Sequence, residues 1–254
     1  MEADALKLFA EIDEHISNDK IPSVYFQEID NPLFRLKSPF VMLERLKEIK
    51  QSPQYHPEGS VWNHTMLVID EAAMRKEQSN DEHVFMWAAL LHDIGKADTT
   101  KVRNGKITSY NHDNVGAELT WEFLGGFCDA SFAAHVSALV RFHMHILYVI
   151  KSMRFADIDA MIRDVNVDDV ALLGLCDRLG RKGANLHEEE KNVLEFLRKV
   201  DEKMKNNKNR MRDREKTNAD LRKMNPKENA DKGIVNGKHL GTHDGGHEKD
   251  GRGQ

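Results

Sequence analysis

Ala88-Ala89-Leu90-Leu91-His92-Asp93-Ile94-Gly95-Lys96 ends an apolar run that begins at Val84, and the rest of the chain is read outward from it. Val84-Phe85-Met86-Trp87 add apolar side chains on every face of a helix, so the segment belongs in a core. A carboxylate at the end of such a helix is drawn toward that core, where an unpaired ion costs several kcal/mol or takes up a proton. A bound cation removes the conflict with the least strain. Ser79-Asn80-Asp81 supplies caps for the helix start, and Gly95 suits a left-handed turn at its end.

Upstream, Val61 opens a helix that ends near Glu77 and sets His64, Leu67, Val68 and Glu71 on neighbouring turns of one face. Ala3 to Ser17 carries Leu6, Phe9, Ile12 and Ile16 at helical spacing. The stretch from Pro22 to Pro39 breaks that pattern, and Phe40 to Ile49 resumes it until Ser52-Pro53. Downstream, Lys101 to Ile107 reads as a polar loop or a short hairpin around Asn104-Gly105, near residues 101–109. Helices are expected over His112 to Leu124, Ala130 to about Val149, Phe155 to Arg163 and Val167 to Gly180. No alternating strand-length segment recurs and no fixed period is visible. The expected fold class is therefore all-α, a helical bundle.

The 254 residues, 40% of them hydrophobic, suffice for a real core. A formal net charge of −5 gives the whole molecule no bias toward nucleic acid or membrane. Cys128 and Cys176 are too few for a disulfide framework, which fits a reducing compartment and a cytoplasmic location. The acidic Met1-Glu2-Ala3-Asp4 start does not resemble a signal peptide, and no uninterrupted apolar run approaches the ~18 residues of a membrane span. Composition shifts after Leu186: residues 198–223 hold eleven Lys or Arg against five acids, without an apolar stripe or base-stacking aromatics. The expected organisation is an N-terminal helical segment over 1–50, a core domain over 51–186, a charged, net-basic helical extension over 187–232 and a disordered tail over 233–254. The 198–223 stretch is read as a solvated helix with RNA contact as its alternative role.

Six polar residues fall where helix periodicity expects core or interhelical contact: His64, His92, Asp93, His112, His143 and Asp177. Any one of them has an ordinary explanation, such as a hydrogen-bonded core histidine or a salt bridge from Asp177 to Arg178 or Arg181. Together they form a mixed nitrogen and oxygen donor set able to hold zinc, manganese, iron, nickel or cobalt, with magnesium also compatible. His92 and Asp93 diverge by about 100° on a helix, so one ion accepts both only near the helix end.

The order His64, His92-Asp93 within His-Asp-Ile-Gly-Lys, then a distant Asp177 resembles the HD superfamily of metal-dependent phosphohydrolases. Tyr55 to Thr65 with Leu90 to Lys96 is most similar to the HD domain fused to bacterial tRNA nucleotidyltransferases, and the resemblance covers roughly Asn31 to Gly183. It implies an all-helical domain at 51–186 that hydrolyses phosphomonoesters or phosphodiesters of a nucleotide or RNA end, 2′,3′-cyclic phosphates included. By position, His64, His92, Asp93 and Asp177 resemble the ligands of a first divalent metal. His112 and His143 resemble those of a second ion, with Asp93 bridging and His145 as the substitute for His143. Asp93 would also orient the attacking water. Lys96 would neutralise charge developing on the phosphate, although a lysine there also suits the helix dipole. His56, with Arg141 or Arg178, would contact substrate phosphate. No Gly-Gly-x-Val-Arg-Asp segment is found, and Asp157-Ile158-Asp159 lies where no polymerase carboxylate pair is expected, so nucleotide addition to tRNA is not. The alternative to an enzyme is a non-catalytic, metal-holding HD module that binds nucleotide or RNA.

Overall fold

A computed structural model of the chain describes residues 3–224, with side chains as far as Ala219; the tail expected over 233–254 lies outside the described residues. The chain opens with α1 (Ala3–Asn18), α2 (Ser23–Glu28), α3 (Pro32–Leu36) and α4 (Val41–Arg45). Next come α5 (Val61–Ala73), a 3-10 turn at Lys76–Gln78, α6 (Glu82–Leu91) and α7 (Lys96–Thr99). The antiparallel hairpin of β1 (Lys101–Arg103) and β2 (Lys106–Thr108) precedes α8 (His112–Leu124), α9 (Ala130–Phe142) and α10 (His145–Ile150). The last helices are α11 (Ile158–Asp164), α12 (Val167–Leu179) and α13 (Leu186–Met224). The described residues thus form the expected all-α bundle with one short hairpin.

α6 is the centre of the bundle. Every residue from Val84 to Leu91 is buried, and α1, α5, α9 and α12 pack around the helix. Asp81 Oδ1 caps its start by accepting from the Val84 amide at 3.0 Å. Each large apolar side chain so buried contributes about 1.5–3 kcal/mol relative to exposure. α1 is fastened to it by Phe9, whose ring stacks on Trp87 at 4.8 Å and on Phe127 at 4.4 Å. Trp87 Nε1 donates to Asp13 Oδ1 at 2.7 Å, so the indole N–H keeps a partner on leaving water.

Three local expectations are corrected. The helix expected from Phe40 to Ile49 ends at Arg45. The Leu46 and Ile49 carbonyls instead accept from the Trp62 and Val61 amides, which are free donors of the first turn of α5. The helix expected from Ala130 to Val149 breaks at His143-Met144, because His143 Nδ1 donates to the Val140 carbonyl that the Met144 amide would otherwise reach. By length and composition Ala130–Ile150 is apolar enough to cross a bilayer, but 56% of its apolar 18-residue window is buried within the chain's own bundle.

The third correction is Gly95, which is right-handed (φ −66°, ψ −15°) and not in a left-handed turn. A Cβ there would lie 2.2 Å from the His112 carbonyl oxygen and 2.6 Å from the Gly116 amide. Glycine is needed because α7 and α8 approach backbone to backbone. In the hairpin turn, by contrast, Asn104 (φ 50°) and Gly105 (φ 71°) are both left-handed, as a two-residue Asn-Gly turn requires.

The first compact unit runs to Lys203. Phe196 and Val200 of α13 are buried in it, and Lys203 pairs with Asp159 at 3.1 Å. Residues 187–203 of the expected extension therefore belong with the bundle. The second unit begins at Met204, and its described part is helical to residue 224.

Gly95→Ala is expected to destabilise the protein by about 2 kcal/mol, lowering Tm by about 4–8 °C in a calorimetric scan. An unchanged Tm would show that the α7 and α8 backbones can separate freely.

Candidate metal centre

Three imidazoles are held by one local device. His92 follows the last residue of α6, His143 follows the last residue of α9, and His112 is the first residue of α8. In each, Nδ1 bonds to the carbonyl three residues earlier: Ala89 at 2.8 Å, Val140 at 2.6 Å and Ser109 at 2.7 Å. An amide carbonyl only accepts, so Nδ1 carries the proton and Nε2 presents a lone pair. At the end of α9 the Val140 carbonyl also takes the His143 amide at 3.4 Å, so one carbonyl anchors both the backbone and the ring of His143. Asn111, left-handed at φ 66°, turns the chain immediately before His112.

The lone pairs converge on Asp93. His92 Nε2 lies 3.4 Å from Asp93 Oδ2, while His112 Nε2 and His143 Nε2 lie 3.5 and 3.8 Å from Oδ1. His64, fully buried on α5, brings Nε2 to 4.0 Å from Asp93 Oδ2. Two donor groups result, His64-His92-Asp93 and Asp93-His112-His143, each with its ligand atoms within 4.8 Å of one another. Asp93 belongs to both. Burial opposes its charge, yet the Lys96 ammonium holds the carboxyl well below the usual carboxylate range. Lys96 Nζ bonds Asp93 Oδ2 at 2.6 Å and Gln51 Oε1 at 2.7 Å.

These residues fit a divalent cation. His112 Nε2 and His143 Nε2 face each other at 3.2 Å, and burial lowers the pKa of both rings. Two neutral imidazoles that spend their N–H groups on carbonyls would meet lone pair to lone pair, an arrangement a cation between them turns from repulsive to attractive. His92 Nε2 is likewise buried without a partner. The outer nitrogen of each ring is tied to a carbonyl, as metal-ligating histidines generally require.

Asp177 stands at the edge of the first group. Its Oδ1 lies 2.9 Å from His64 Nε2, and Arg181 Nη2 contacts Oδ2 at 3.1 Å. Arg181, then His64, outweigh burial and keep this carboxyl well below its ordinary value. Arg178 turns away and bonds Glu189 at 3.0 Å, so Arg181 is the arginine of the centre. Arg141, half exposed, faces Asp164 at 3.9 Å and is not brought to the site. His145 is buried against Phe142 outside both donor groups, so His143 is the member of that pair facing Asp93; His135 is exposed.

His56 and Glu58 add a layer behind His64. Glu58 Oε1 lies 2.8 Å from His56 Nδ1 and 3.0 Å from His64 Nδ1. Burial would raise the Glu58 pKa, but contacts with His64 and His56 bring it to about 2, while burial, then Lys96, lowers His56 to about 4. His64 is pushed up despite burial by Asp177 and Glu58. Sequence reasoning assigned Glu58 and Gln51 no role. Glu58 lies within the quoted Tyr55 to Thr65 stretch, six residues before His64, but Gln51 has no comparable signal.

Residues 61–176 match the family described as HD domain. The chain is 34% identical over 100 residues to the multifunctional CCA protein of Hahella chejuensis, covering 39% of this chain and 22% of that protein. The protein of the same name from Aromatoleum aromaticum is 44% identical over 57 residues, 22% of this chain and 13% of its own length. That from Haemophilus influenzae is 28% identical over 136 residues, 52% of this chain and 32% of its own. The chain thus spans no more than about a third of the length of these relatives.

Chelator competition is expected to show Glu58→Gln binding divalent metal about 10–100-fold more weakly. His143→Ala should lose metal from its group, whereas His145→Ala should keep the native affinity. Reversal of the two histidine results would move the second group to His145.

Proposed function

We propose that this chain, which carries an HD domain over residues 61–176, is a metal-dependent hydrolase of a phosphomonoester or phosphodiester on a nucleotide or RNA end, with a 2′,3′-cyclic phosphate among its candidate substrates. The HD superfamily is one of metal-dependent phosphohydrolases, and the buried histidine and aspartate clusters are able to hold a divalent metal. The observation that carries the reading is Asp93, a buried carboxylate common to two donor groups with an ammonium on one of its oxygens.

His64, His92, Asp93, His112 and His143 would hold the metal, with Asp177 joining through the His64 side. The nitrogen-rich set favours manganese, iron, cobalt, nickel or zinc over magnesium. A metal so held supplies Lewis acidity toward phosphoryl oxygens and a hydroxide nucleophile near neutral pH. Asp93 orients the attacking water. Lys96 sets its positive charge against the oxygen on which charge accumulates, and Gln51 keeps the ammonium from swinging away. His56, 14% exposed at the side chain, is the substrate-facing member of the His56-Glu58-His64 group.

A second reading, a metal-holding module that binds nucleotide or RNA without turnover, draws on Arg181, which already neutralises the Asp177 oxygen next to the centre. RNA contact through residues 198–223 belongs to either reading. Cys128 and Cys176 are free thiols, and the proposed location is the cytoplasm.

Elemental analysis of the purified protein, followed by a screen of nucleoside monophosphates, triphosphates and 2′,3′-cyclic nucleotides, tests the proposal. Hydrolysis with bound metal is expected, with both lost in Asp93→Ala. Lys96→Ala should keep its metal and lose about 10²–10³-fold in kcat. Metal-free protein whose Tm ignores EDTA would overturn the proposal, and full metal content without hydrolysis would select the binding module.

A further inference from the structure

The hairpin β1–β2 carries cations that the metal centre does not use. Its register sets Lys101 opposite Thr108 and Arg103 opposite Lys106, with Val102 opposite Ile107. Side chains alternate across a strand, so Lys101, Arg103, Lys106 and Thr108 share one face while Val102 and Ile107 share the other. All three cations are exposed, and no acidic residue occurs between Thr99 and Asn111. Among the described residues no ion pair engages Lys101, Arg103 or Lys106. Arg103 and Lys106 are like charges directly opposed across the ribbon, a pairing that costs stability unless an anion lies between them.

The ribbon is rooted in the metal centre at both ends. The Thr100 and Ser109 hydroxyls bond at 2.7 Å across its base, and the Ser109 carbonyl accepts from His112 Nδ1 at 2.7 Å. At the other root, α7 begins with Lys96, which bonds Asp93. Tyr110, 76% exposed, stands two residues from His112.

We propose that the Lys101-Arg103-Lys106 face binds the phosphodiester backbone of a single-stranded RNA whose terminal phosphate lies at the metal centre, so that the substrate is a polynucleotide end and not a free nucleotide. This rests on the phosphohydrolase reading above. Lys101 and Arg103 are two strand residues apart, about 6.8 Å, a repeat that lets neighbouring cations serve successive phosphates of an extended strand. The Arg103 guanidinium suits bidentate contact with phosphate. Tyr110 offers an aromatic face for a base near the strand end. A nucleoside monophosphate has one phosphate, which the centre takes, and no phosphodiester backbone to offer the hairpin cations. Val102 and Tyr110 are the exposed hydrophobic side chains of this segment, too small an apolar feature for a lipid surface.

The test compares the native 254-residue chain with a K101A/R103A/K106A triple variant, whose altered side chains are exposed. The probes are a fluorescein-labelled single-stranded RNA with a 3′-terminal phosphorothioate and the corresponding nucleoside 3′-phosphorothioate. Affinity is measured by anisotropy and calorimetry over about 50–200 mM salt. The triple variant is expected to bind the RNA at least tenfold more weakly and to lose about 2 from the slope of log K against log salt, at ~0.7 per phosphate. Its affinity for the nucleoside probe should stay within twofold of native. Unchanged RNA affinity and slope, or equal losses on both probes, would overturn the proposal. So would phosphatidylserine vesicles bound as tightly as the RNA with the same dependence on the three cations. Binding does not require turnover, so a chain that hydrolyses nothing would fail the phosphohydrolase reading separately.

Discussion

A carboxylate 2% exposed at the end of a helix buried on every side stays anionic only if cations stand against it. Asp93 is in that position, and much of the surrounding structure answers to it. Lys96, one turn later, places its ammonium on Oδ2, and Gln51 arrives from the loop before α5 to hold that ammonium. His92, His112 and His143 bring lone pairs to the same carboxylate from α6, α8 and α9. Each partner has a bulk of its own, so the helices that carry them are spaced by the demands of the site as well as by apolar packing.

The helix ends serve both the fold and the site. An imidazole that takes the carbonyl three residues back competes with the amide that would continue the helix. At His143 this ends α9 and starts the separate α10, and at His92 the same bond coincides with the end of α6. Breaking the helix and fixing the tautomer are therefore one event. Gly95 completes the arrangement, since only a residue without Cβ lets the α6–α7 junction sit against the His112 carbonyl.

Much of this was legible in the sequence. The apolar run into His92-Asp93, the capping Asp81, the Asn-Gly hairpin and the α8 boundaries all follow from short-range patterns, and the donor set was readable as polar residues at core positions. Partner choice was not legible. Arg178 and Arg181 are three residues apart on the same apolar stretch and its continuation, yet one reaches Glu189 and the other Asp177. His143 and His145 differ by two residues, and only the break between α9 and α10 decides which one faces Asp93. Glu58 and Gln51 lie in a connection without periodicity, so no spacing rule could place them.

The sequence by itself determined an all-α chain with a core helix ending in the His92-Asp93 pair, because periodicity, caps and turn residues act over a few positions and are written locally. Only the tertiary structure decided that Asp93 is common to two donor groups, that Glu58 stands behind His64, and that Gly95 serves a close backbone approach instead of a left-handed turn. Those facts depend on how helices distant in sequence rotate and translate against one another. A shift of about 1 Å or of one residue's rotation exchanges one partner for another while leaving every local pattern intact.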